Sequence, residues 1–267
     1  MANQRTWVIA ASQASYSHAE LAGQLDLLDP AHGLKNLQWR GQPLASTRAL
    51  LGLSFETRTP LNPELLLDVY ARQDDLVATY ATSPGHDVRL QAYWRGATVG
   101  AATATAQRVD LQVSVQTALL DSAPSLYTYN VVMAREVWQP RDRSARAWDR
   151  IWQFGQPSFQ IDGRARPATL LLRLESSRPA ESQEFSTAPL SLLLTVHPGD
   201  LQDGRAIIDP AEPGRVAIVC QLFHEHLEKG VIRRVWQRAA LFDAARDLEL
   251  AGELHRAFAN EEPSLTV

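Results

Sequence analysis

The chain has 267 residues, of which 45% are hydrophobic, so it can bury a sizeable core. Its formal net charge of -4 and pI near 6.0 exclude bulk electrostatic attraction to nucleic acid. A single cysteine, Cys220, excludes an internal disulfide, and no apolar run reaches the roughly 18 residues of a membrane span.

Short apolar or alternating segments run along the whole chain. In order they are "TWVIAAS", "LAGQLDLLD", "LKNLQWRG", "ALLGLSFET", "DLVATYAT", "VRLQAYWRG", "VDLQVSVQTALL" and "LYTYNVVMAREVW". "ATLLLRLESS", "LSLLLTVH", "RAIID", "VAIVCQLFHEHL" and "VIRRVWQRAALF" follow. The turn signals "SPGHD", "HPGDLQDG" and "DPAEPG" separate them. Many strands with this punctuation predict an all-β, two-sheet β-sandwich or supersandwich, expected as one domain over 1–267. "PELLLDVYARQ" reads equally as a helical turn or a strand. Residues 139–167 are arginine-rich and turn-rich but carry Trp148, Trp152 and Phe154, which predicts an ordered excursion over a sheet face or edge. Asp243 is expected to cap a C-terminal helix over about 244–260, with Leu248, Ala251, Leu254 and Phe258 at helical spacing and Pro263 ending it.

In "VRLQAYWRG", Arg89, Gln91, Tyr93 and Arg95 alternate with an apolar set, Val88, Leu90, Ala92 and Trp94, that reads as core. The polar set is either a plain solvent face or joins, across the sheet, the face of the hairpin expected around "HLEKGVIRR".

"FHEHLEKGVIRR" concentrates titratable groups. The His-x-His spacing differs from the i, i+4 histidines of a zinc helix. Glu228-Lys229-Gly230 fits a three-residue hairpin loop with Gly230 at positive φ. That hairpin predicts Leu227 opposite Val231, His226 opposite Ile232, His224 opposite Arg234, Leu222 opposite Trp236 and Cys220 opposite Arg238. One face then carries His224, His226, Arg234, Trp236 and Arg238, while Glu225 pairs with Arg233 on the other. Two histidines fall short of a metal-ligand set and the arginines repel a cation. Guanidinium forks, imidazoles and an indole suit an anion or polyol instead. A solvated face without a ligand is the competing reading. Cys220, within "VAIVCQLF", reads as a small core residue, and the histidine of "LTVHPGDL", His197, as a turn residue. Nucleophile-elbow, phosphate-loop and dinucleotide motifs are absent, and no cofactor is expected.

The opening "AELAGQLDLLDPAHGLKNLQWRGQPL" reads as a strand, an Asp-Pro turn with Gly33 and a second strand ending at Gly41. With Leu34, Leu37 and Gly41 it resembles the first hairpin of galactose mutarotase-like β-supersandwich proteins. The resemblance implies a curved sheet whose concave face binds carbohydrate. Members that catalyse mutarotation use histidines with a late carboxylate; "HPGDL" is only faintly similar, and no carboxylate partner stands out. The expected function is therefore binding or modifying a carbohydrate, or another polar or anionic small molecule, by a cytoplasmic protein. The candidate contacts are His224, His226, Arg234, Trp236, Arg238, Arg89 and Tyr93. A non-catalytic protein-interaction domain is the alternative, and a metal-dependent enzyme the third reading. No nucleic-acid or membrane partner is expected, and the oligomeric state is left open.

Overall fold

The computed structural model describes residues 6–55, 65–81, 88–101, 104–120, 122–161, 168–175 and 189–262. Its strands are β1 (Trp7–Ala10), β2 (Gln13–His18), β3 (Leu21–Asp26), β4 (Leu34–Trp39), β5 (Gln42–Pro43), β6 (Thr47–Phe55), β7 (Leu66–Arg72), β8 (Asp75–Ala81) and β9 (Val88–Ala101). They continue with β10 (Ala104–Thr117), β11 (Ser125–Pro140), β12 (Trp148–Gln153), β13 (Phe159–Gln160), β14 (Thr169–Leu174), β15 (Leu190–Val196), β16 (Asp203–Ile208), β17 (Arg215–His224) and β18 (Ile232–Asp243). One α-helix, α1 (Asp247–Asn260), follows. The all-β sandwich with a C-terminal helix is the observed architecture. The ambiguous "PELLLDVYARQ" contributes β7; "SPGHD", residues 162–167 and Pro263 lie outside the described residues.

Among the described residues every strand pairing is antiparallel. The large sheet runs β7–β8–β9–β10–β18–β15–β14–β11–β12. The second runs β6–β11–β17–β16–β13. The sixteen-residue β11 belongs to both: Ser125–Met133 pairs with β17, and Ala134–Pro140 turns to β14 and β12. A smaller N-terminal sheet, β1–β2–β3–β4–β5, joins β6 at Leu34↔Leu50.

Alternation builds the core. Val88, Leu90, Ala92 and Trp94 of β9 and Val109, Leu111, Val113 and Val115 of β10 are buried with Leu51 and Leu53 of β6 and Ile218, Cys220 and Leu222 of β17. At roughly 25 cal/mol per Å² of apolar surface, this two-sheet interior is the main stabilising term. In the β3–β4 unit, Gly33 sits at φ +58, and a Cβ there would come within 2.2 Å of Leu50 O, so only glycine fits. Within the excursion, β12 pairs with β11 and buries Trp152, while Phe154 stays exposed.

Two expectations need correction. Asp243 does not cap α1. It ends β18, and the helix starts after Arg246, which holds a left-handed φ of 60. Asp247 occupies the first turn, where it accepts from Leu248 N–H, Ser191 Oγ and Arg173. Second, β17 and β18 do not form a hairpin. Both edges of β17 are taken by β11 and β16, and both edges of β18 by β10 and β15, so neither strand has a side left for the other. Residues 225–231 instead carry the chain from one sheet to the other. Leu227, 3% exposed, anchors the crossing through two backbone hydrogen bonds with Ser122. Gly230 keeps its turn role at φ +84, with Val231 N–H returning to Glu228 O.

Candidate functional site

The large sheet has a second, polar face, because directly opposed residues of neighbouring strands point the same way. Four rows cross it. The first is Asp75–Arg95–Asp110–Arg238, and the second Val77–Tyr93–Gln112–Trp236. The third is Thr79–Gln91–Ser114–Arg234, and the fourth Ala81–Arg89–Gln116–Ile232. Arg89, Tyr93, Arg234, Trp236 and Arg238 thus share one face. The strand that joins them is β10, lying between β9 and β18.

The first row is an internal charge ladder. Arg95 donates to both oxygens of Asp75 at 2.6 and 2.7 Å. Arg238 donates to both oxygens of Asp110 at 2.6 and 2.9 Å and to Glu261 at 2.9 and 2.8 Å. Burial alone would lower the Arg238 pKa, but the Glu261 and Asp110 hydrogen bonds outweigh it and hold the guanidinium charged. At 1% exposure Arg238 is fully committed to these partners.

Helix α1 closes the second row. Trp236 is 6% exposed, stacked on His197 at 5.8 Å and met edge-on by Phe258 at 4.7 Å. It offers no free ring face to a sugar. His197 donates from Nε2 to Glu261 O at 3.1 Å.

The third and fourth rows are open. Arg89, Gln91, Ser114, Gln116, Ile232 and Arg234 line a cavity of about 220 Å³. Tyr93, one row away, donates to Gln91 Oε1 at 2.5 Å. Arg234 also borders a larger cleft of about 810 Å³ with His197, Asp200, Arg233 and Glu262. Asp200 accepts from Trp236 N–H at 2.9 Å and from Arg233 at 3.4 Å. Burial pushes its carboxyl up to about 6 in spite of these donors.

The arginines on this face differ in their carboxylate partners. Arg95, Arg108 and Arg238 have carboxylate partners on this face. Arg89 and Arg234 have none among the described residues, and Arg234 Nε is buried without a hydrogen-bond partner. A guanidinium left in that state suits a ligand oxygen.

The remaining candidates lie elsewhere. His224 ends β17 in the second sheet, exposed, sharing a 2.7 Å hydrogen bond with Ser125 Oγ. His226 is exposed in the crossing. Neither faces Arg234 or Ile232, because those residues pair with Ser114 and Gln116 of β10. The Glu225–Arg233 contact does occur, at 3.8 Å, as a bridge across the crossing rather than a hairpin pair. Among the described residues no three His, Cys, Asp or Glu side chains gather as a metal-ligand set. No described helix is long and apolar enough to cross a membrane.

A solved structure shows a similar fold. YeaD from Salmonella typhimurium, a proposed mutarotase, aligns at a TM-score of 0.53 and 9% identity, over 86% of this chain and 90% of that one. The present chain resembles that proposed mutarotase in its β-fold. The GH36 α-galactosidase AgaB from Geobacillus stearothermophilus aligns at 0.48 and 8% identity, over 89% of this chain and 41% of that one. A proposed aldose 1-epimerase from Klebsiella pneumoniae aligns at 0.45 and 7% identity, over 94% and 84%. No protein-family model and no curated protein matches the sequence. At such identities the likeness is one of fold, and the site rests on its own geometry.

Reading the sequence segment by segment placed Gln91 in the polar set of its strand but missed Ser114, Gln116 and Asp200 as cleft residues. The β10 alternation Asp110, Gln112, Ser114, Gln116 carried the signal for a polar strand face. Asp200 had none: its burial depends on how the His197–Asp200 turn folds against β18.

Proposed function

We propose that this protein binds a carbohydrate at the open end of the polar face, with Arg89 and Arg234 holding its acidic or hydroxyl oxygens. Gln91, Ser114 and Gln116 supply further hydrogen bonds, and Tyr93 borders the site. Arg238 and Trp236 serve as its frame, not as contacts. The observation that carries this reading is the pair of guanidinium groups with no carboxylate partner among the described residues, set at a concave, polar surface. Asp200 and His197, in the adjoining cleft, supply a carboxyl and an imidazole suited to proton transfer should the sugar be modified as well as bound.

The test is a thermal-shift panel of neutral and acidic sugars against wild type and Arg234→Ala. At least one sugar is expected to raise the wild-type Tm and to lose that effect in the variant. A panel in which no sugar shifts the wild type contradicts the proposal.

A further inference from the structure

Strand β7 forms one end of the large sheet, and among the described residues only β8 pairs with it. Leu67 and Tyr70 are 56% and 41% exposed, and Asp68, Ala71 and Arg72 are exposed too. Bare edge N–H and C=O groups are a template for another strand, which proteins commonly block with lysine or proline. β7 contains neither. A register shift between Leu66 and Asp68 leaves Asp68–Arg72 as the regular stretch.

The register shows which groups are free. Arg72 and Asp75 flank the two-residue turn Gln73-Asp74, so they form a hydrogen-bonded pair. Tyr70 with Val77 and Asp68 with Thr79 follow at every second residue. The N–H and C=O groups of Val69 and Ala71 therefore point away from the sheet.

We propose that a second copy of this chain pairs along that edge, β7 against β7, antiparallel about Tyr70. In this register Val69 and Ala71 of one copy exchange backbone hydrogen bonds with Ala71 and Val69 of the other. Asp68 faces Arg72 of the second copy, and Arg72 faces its Asp68, so opposite charges meet twice. A parallel pairing would bring Asp68 beside Asp68 and Arg72 beside Arg72, which opposes it. The antiparallel dyad runs through the plane of the sheet. It therefore joins the two large sheets into one and keeps both Arg89–Arg234 faces on the same side. The dimer stands independently of what those faces bind.

Sedimentation velocity on the full chain over a concentration series tests this. Wild type is expected to show a monomer–dimer equilibrium. Val69→Pro removes an outward donor while sparing the bonds to β8, and is expected to weaken the dimer at least tenfold. Asp68→Arg sets like charges opposite each other twice and is expected to cost about tenfold, whereas Asp68→Glu keeps the wild-type constant. Should Val69→Pro fail to fold, the Asp68 pair of variants decides alone. A wild type that stays monomeric throughout, including one that captures other extended peptides on β7, overturns the proposal. So does a dimer indifferent to Asp68→Arg.

Discussion

Arg238 lies across from Asp110 in the β10–β18 pair and grips both of its carboxylate oxygens, with the guanidinium almost wholly out of solvent. Glu261, just past α1, binds the same guanidinium from the helix side. The pairing ties the centre of the large sheet to the chain's last described turn. Arg238 is a fixed cation inside the fold, while Arg234, four residues earlier on the same face, has no carboxylate partner among the described residues.

Breaking that pair leaves a buried charge without its partner. Arg238→Ala or Asp110→Asn is expected to destabilise the protein by about 3–5 kcal/mol. Glu261→Gln, at a partly exposed position, is expected to cost about 1 kcal/mol or less. Urea denaturation of the three variants checks the order, and equal losses contradict it.

Asp200 makes stability depend on pH in a definite direction. Its carboxyl is raised by burial to about 6, so the folded state holds the proton where the unfolded chain releases it. The folded form is therefore favoured below about pH 4, and that contribution is lost as pH rises to about 6. Relative to Asp200→Asn, wild type should lose stability across this window, by an amount on the order of 2–3 kcal/mol, and run parallel above it. Paired thermal melts from pH 4 to 7 would show it, and parallel curves throughout would count against a buried, proton-holding Asp200.

Cys220 is a core residue. It is 4% exposed, and burial pushes its thiol up to about 12, so almost no thiolate forms near neutral pH. A chromogenic disulfide reagent is expected to leave it untouched in the native protein and to react with one thiol in denaturant. Rapid labelling under native conditions would mean that the second sheet opens readily around β17.

Much of this molecule was legible in its sequence because strand alternation is a local signal. The apolar set Val88, Leu90, Ala92 and Trp94 is buried as its spacing implies, and Gly33 and Gly230 take the positive φ that their turns require. Strand pairing is not local. "FHEHLEKGVIRR" has the punctuation of a hairpin, and nothing within those residues shows that β11, β16, β10 and β15 have already occupied the strand edges. The helix start failed for a related reason. Asp243 is a good cap by type, but β18 runs through it, and Asp247 found Arg173 and Ser191 only by folding. For the site, the β9 and β18 residues were legible and the strand between them was not seen as their link. The burial of Trp236 and Arg238 depends on α1, some twenty residues further along the chain.

The central claim is that Arg89 and Arg234 form a binding pair. Isothermal titration calorimetry measures it most directly, with the best acidic and neutral sugars from the thermal panel titrated into wild type, Arg89→Ala, Arg234→Ala and His224→Ala. Saturable binding to wild type is expected to weaken at least tenfold in each arginine variant, consistent with loss of a charge-assisted contact, and to be unchanged in His224→Ala. Binding that survives both arginine substitutions, or that disappears with His224, would contradict the account.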